Sequence, residues 1–173
     1  MEIHPVIRQF ARTLRNLDAV LNKATKHAEA RKFDINNFYA ARLFPDMLPF
    51  VSQIRIACDT AKSAAANLSG KEAPRHEDNE TTVPELRARI GKCLAYLDTF
   101  TAADFERTKP DTMVRMPNRP DRVGKGLRAE EYLYARQIPN FYFHVTTAYD
   151  LLRHGGVEIG KSDYLGTLAF ADM

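Results

Sequence analysis

Four segments of this chain repeat apolar residues at alternating spacings of four and three, and that rhythm leaves little choice of architecture. In the first, Ile3, Ile7, Phe10, Leu14, Leu17, Leu21, Ala24 and Ala28 share one stripe of a helix, with Arg8, Arg12, Arg15, Asn22 and Lys26 on the other side. Pro5 fits because the opening turn leaves its missing N–H without a helical acceptor. The second carries Met47, Val51, Ile54, Cys58, Ala61, Ala65 and Leu68. Pro45 and Pro49 are predicted to mark its first turns and Gly70 its end. The third opens on a capping box, Thr82 with Glu85, and buries Val83, Leu86, Ile90, Cys93, Leu97 and Phe100. Gly91 weakens it slightly and suggests a close approach to a neighbour. The fourth runs from Pro139 to the stop at Gly155 and Gly156. It presents Phe141, His144, Ala148 and Leu151 on one stripe and Tyr142, Val145, Tyr149 and Leu152 on a second. So wide an apolar face predicts a helix contacted from two sides.

The rhythm fails between Phe105 and Gln137. Thr112–Pro117 and Lys125–Ala129 read as the strands of a small hairpin around a turn-rich loop, with a helical turn or two over 130–136. A connection this long often caps a site, so a pocket is expected near His144 beneath it. Asp34 is placed to cap a short helix from Ile35, Lys71–Thr81 reads as a polar loop, and the tail after Val157 should pack back through Ile159, Tyr164, Leu165 and Phe170. The whole predicts an all-α four-helix bundle with a β-hairpin insertion between the third and fourth long helices, as a single domain over 1–173.

Composition narrows the function classes. With 173 residues the chain can bury about two thirds of its unfolded surface. No run of 18 apolar residues exists, so no membrane span is expected. The net charge is only +3, and the arginines are scattered rather than clustered. Nucleic-acid binding is therefore not favoured; it would need Arg107, Arg115, Arg119, Arg122 and Arg128 to gather on one face. Cys58 and Cys93 both fall on apolar stripes, which suits buried free thiols in a reducing compartment. With no secretory signal at the start, a cytoplasmic location is expected.

Several short motifs lose their functional reading in context. Gly155-Gly-Val-Glu-Ile-Gly160-Lys161-Ser162 matches the phosphate-binding P-loop letter for letter, but that loop needs a preceding strand and here follows a helix. His76-Glu-Asp-Asn-Glu80 packs metal-ligand types into five residues of what reads as a solvated loop before a capped helix. His4, His27 and His154 lie at or near helix ends, where the helix dipole accounts for His27 and His154. No Gly-x-Ser-x-Gly, Cys-x-x-Cys or His-Glu-x-x-His occurs, so no nucleophile or paired-histidine site is specified.

His144 is different. It sits on an apolar stripe, so its ring nitrogens need partners inside the bundle, with Gln53, Asp59 and Thr147 as candidates. A hydrogen-bonded core histidine is favoured over a metal ligand, because one histidine makes a poor site. Asp59 also has Arg55 one turn earlier, the spacing of an ordinary solvated pair.

The stretch Pro139-Asn-Phe-Tyr-Phe-His144-Val-Thr-Thr-Ala-Tyr149, continuing to Leu165, resembles the domain of unknown function 1993 family. Pro45-Asp-Met-Leu-Pro49, Gln53 to Asp59 and Leu86-Arg-Ala-Arg-Ile90 fit the same family, so the resemblance spans nearly the whole chain. It implies membership of the DinB/YfiT-like superfamily of four-helix bundles, which is associated with metal-dependent enzymes. It also implies a homodimer, since many superfamily members pair through helix faces. The superfamily's metal site takes one histidine from the second long helix and two from the fourth, four residues apart. His144 matches the first of that pair; the second falls at Ala148, and the second helix contains no histidine. The resemblance thus implies either loss of the metal or a weaker divalent transition-metal site of His144 with Asp59 or Gln53, and loss is favoured. The expected function is a degenerate, metal-free member that binds a small molecule or partner. The alternative is a metal-dependent, thiol-transferase-like enzyme centred on His144.

Overall fold

The computed structural model of the protein describes residues 1–116 and 123–171. Four long helices make a bundle: α1 (Ile3–Arg31), α2 (Phe50–Ser69), α3 (Val83–Leu97) and α4 (Ile138–His154). β1 (Met113–Arg115) and β2 (Gly126–Arg128) pair antiparallel between α3 and α4, with Val114 opposite Leu127. A short α5 (Lys161–Leu165) follows. α2 packs against α3 on one side and α4 on the other, while α1 closes the bundle against α3, α2 and α4. Among the described residues no helix is long and apolar enough to cross a membrane.

The stripe predicted for α1 is buried throughout, and Phe10 meets Phe141 of α4 with ring centroids 4.3 Å apart. Ala57, Ala61, Ala64 and Ala65 of α2 are fully buried, small residues that let α3 and α4 approach together. Burying this much apolar surface supplies the main driving force for the bundle. The local signals act as expected: Asp34 accepts from Asn36 N–H at 2.9 Å, Thr82 and Glu85 form the reciprocal box, and Gly70 stops α2 at φ +75°. A Cβ on Gly155 would run into the Phe38 ring, so only glycine lets α4 end against that short helix.

Other expectations are corrected. α2 begins after Pro49, which leaves Met47 in the preceding turn; Pro45 and Pro49, with an exposed Leu43, Phe44 and Leu48 nearby, hold the chain out of the helix until Phe50. Gly91 faces open space and admits no close neighbour. In the tail Val157 and Ile159 are buried, but Leu165 and Phe170 are exposed.

The approach to α4 differs most. Glu131–Gln137 is wound as a π-helix and runs without a break into α4. Pro139 explains why: it lacks an N–H and its ring crowds the preceding turn, a conflict that a wider turn relieves. The paired strands lie over the C-terminal end of α2, near Ala66, Asn67 and Gly70. Gln53 lies 14 positions earlier on the same helix, about 21 Å away, so the strands do not cover His144 as expected. Residues 117–122 of the loop between them, including Arg119 and Arg122, fall outside the described residues.

Candidate functional site: two polar layers on one helix

α2 is an apolar helix that carries polar side chains on two of its edges. On the edge facing α4 they form a ladder whose register shows the two helices to be antiparallel. Gln53 meets His144 at 2.7 Å, Asn140 donates to Thr60 Oγ1 at 2.8 Å, and Gln137 donates to Ser63 Oγ at 3.0 Å. At the far end Asn67 and Gln137 both donate to Tyr132 Oη at 2.8 Å, and that hydroxyl donates to Ser63 O at 3.2 Å. The π turn lets neighbouring Arg136 and Gln137 both serve this seam, Gln137 fully buried and Arg136 on its outer lip.

The His144 end of the ladder has a defined protonation pattern. Gln53 gives its Nε2–H to Leu48 O at 2.8 Å, so its Oε1 is the atom turned to His144 Nδ1. An amide oxygen only accepts, so Nδ1 carries the proton and Nε2 presents a lone pair. Burial pushes the imidazole pKa below its ordinary value, which keeps the ring neutral at pH 7. Nε2 has no partner among the described residues, and it is not among the side-chain atoms sealed from solvent. Exposed Phe143, whose ring lies 5.2 Å from the imidazole, stands beside it. The arrangement is an open hydrogen-bond acceptor beside one apolar shoulder. Thr147, the other expected partner, bonds Phe143 O within its own helix instead.

On the edge facing α3 the polar layer is ionic. Arg89, its side chain 1% exposed, meets Glu80 Oε1, Asp78 Oδ1 and Asp59 Oδ2 at 2.9 Å each. Glu80 also takes Arg55 Nε at 2.8 Å, and Asp59 takes Lys62 Nζ at 3.0 Å. Burial works to raise the Glu80 pKa, but hydrogen bonds from Arg89, its own backbone and Arg55 outweigh that and hold it below the usual carboxylate range. The His76–Glu80 segment is therefore not simply solvated, as expected from sequence: Glu80 folds inward, because a buried arginine needs a buried carboxylate. Arg55 pairs with Glu80, not with Asp59 one turn away.

Of the three candidate ligands the structure brings His144 and Gln53 together and turns Asp59 away, toward Arg89 and Lys62. The other position of the superfamily's histidine pair is Ala148, a buried methyl group. Among the described residues no group of three His, Cys, Asp or Glu side chains can hold a metal. A lone imidazole beside an amide whose oxygen is already engaged does not fit a transition-metal site. The cysteines pack between α2 and α3, where Cys93 Sγ donates to Cys58 O at 3.4 Å. A side-chain hydrogen bond with Cys93, and then burial, raise the Cys58 pKa, so it stays an unreactive thiol. The P-loop match falls at the end of α4, with Gly155 closing a helix and no strand before it.

A crystal structure of a DinB family member from Shewanella denitrificans is 43% identical, with a TM-score of 0.89, over 96% of this chain and 93% of that one. The chain belongs to the family described as Domain of unknown function (DUF1993), whose model matches residues 4–165. No curated protein matches it.

Proposed function

We propose that this DinB-like protein binds a small polar molecule, without a metal, at the α2–α4 seam, with His144 Nε2 accepting a hydrogen bond from the ligand's N–H or O–H. The observation that carries the reading is the Leu48–Gln53–His144 relay, which fixes the tautomer and leaves one unpaired acceptor beside the exposed Phe143 ring. A neutral imidazole held this way binds a donor, and it can also receive the donor's proton if the ligand is acidic enough.

The competing reading is a metal-dependent enzyme in which Nε2 is a ligand. Elemental mass spectrometry on untagged protein purified without chelator separates the two. The expected result is no stoichiometric transition metal and no thermal stabilisation by zinc, nickel or manganese. Near one equivalent of metal, lost in His144→Ala, would overturn the metal-free reading. In a thermal-shift screen of small polar molecules, any compound that stabilises the wild type should fail to stabilise His144→Ala.

A further inference from the structure

Two turns along α2 from Gln53, the seam opens into a cleft of about 350 Å³. Its walls carry three cations, Lys62, Arg75 and Arg136, against one carboxylate, Asp59. That carboxylate is already shared by Lys62 at 3.0 Å and Arg89 at 2.9 Å. Arg75 and Arg136 face no carboxylate among the described residues. Arg136 is nonetheless held in place: it donates to Gln137 Oε1, and its guanidinium lies 5.9 Å from the centre of the Tyr132 ring. Its remaining N–H groups form a planar fork of the kind that matches an oxyanion.

A neutral donor lies in the same place. The Thr60 hydroxyl accepts from Asn140 and donates to no acceptor among the described residues. His76 also lines the cleft, but its Nδ1 is sealed from solvent and is not open to a ligand.

We infer that this cleft holds the anionic end, a carboxylate or a phosphate monoester, of the same small molecule whose donor group reaches His144. The inference rests on the small-molecule reading of His144 and adds the ligand's chemical class. Asn140 and His144 are one helical turn apart, about 6 Å along the axis, which sets the separation of the oxyanion and the protic group.

Inorganic phosphate and acetate, titrated separately into the full-length protein and followed by amide chemical shifts, test it directly. Saturable shifts are expected at Thr60, Ser63 and Asn140, weakened about tenfold or more in Arg136→Gln and in Arg75→Gln at unchanged melting temperature. Preference for one probe identifies which oxyanion the ligand carries. His144→Ala should bind the probe as the wild type does, because the probe lacks the second group. No saturable shift at those residues, or wild-type affinity in both arginine variants, would overturn the inference. A response lost in His144→Ala but intact in the arginine variants would overturn it too, while leaving the His144 reading standing.

Discussion

The two polar edges of α2 are built from opposite materials. Toward α3, Arg55, Arg89, Asp59, Asp78 and Glu80 form a charged cluster whose ion pairs close within the protein, with only Arg89 Nε and Asp59 Oδ1, both sealed from solvent, left without a hydrogen bond. Toward α4, Gln53, Thr60, Ser63, Asn67, Gln137, Asn140 and His144 form a neutral ladder that leaves the Thr60 proton and the His144 lone pair unspent. The stronger interactions are thus the less informative about function. A buried charge must be matched inside the fold, or folding fails, so a matched cluster fixes how α2, α3 and the loop before α3 sit together. A neutral hydrogen-bonding group with solvent access can stay open at little cost, and an open group is what a ligand can use.

The largest test of this contrast is Arg89→Ala, which opens a buried void and leaves Glu80 with Arg55 as its one remaining cation. It should cost about 3–5 kcal/mol in a urea titration and leave the His144 titration curve in place. A loss under about 1 kcal/mol would show the cluster to be dispensable and dissolve the contrast. Next, Gln53→Leu leaves the His144 Nδ1–H without an acceptor and should cost about 1–3 kcal/mol. Gln53→Glu is the sharper variant: a carboxylate at the same place favours imidazolium, and the His144 pKa read by NMR should move up.

Acid should separate the edges again. The folded-state pKa values of His144 and His76 are depressed, by burial first and, for His76, also by Lys62 and Arg89. Between each folded value and ~6.5 the unfolded chain holds more protons, so stability falls as pH drops below ~6.5. Glu80, whose folded pKa is also depressed, contributes stability that is present above ~4.3 and lost as pH falls through its folded value. Stability should therefore decline in two stages, and replacing both histidines with glutamine should remove their share of the upper one. The smallest effect is expected from Asp98→Ala, which frees the exposed Arg8 and Arg15 and should cost about 0–1 kcal/mol. A larger loss would mean that charge pairing matters wherever it occurs, rather than only where it is buried.

The bundle was legible because burial imposes a period on sequence, and every residue of the α1 stripe from Ile3 to Ala28 obeyed it. The Gln53–His144 contact was legible for the complementary reason: a polar side chain on an apolar stripe must find another. The rest of the ladder obeys a rhythm too, with Gln53, Thr60 and Asn67 seven apart on α2 and Gln137 and His144 seven apart on the partner helix. That signal passes unnoticed when only apolar spacing is followed. Arg89 was missed because it lies beside Ile90 on the buried face of α3, where charge is not expected. Asp59 misled because its face on α2 depends on which neighbour supplies a cation, and Arg89 comes from a different helix. The placement of the hairpin strands was not legible, since loop length does not say which end of a bundle a loop covers.

The π turn before Pro139 has an implication for the lineage of such chains. Each of its hydrogen-bonded rings spans one residue more than an α turn, so the helix there harbours a spare residue. A one-residue deletion inside 131–137 can be absorbed by rewinding to an α turn, with the registers on both sides conserved. Most helices have no such slack. The bundle would survive that change, yet Arg136 and Gln137 would no longer both reach the seam. A relative that lacks the extra residue should therefore keep the architecture and recognise something else.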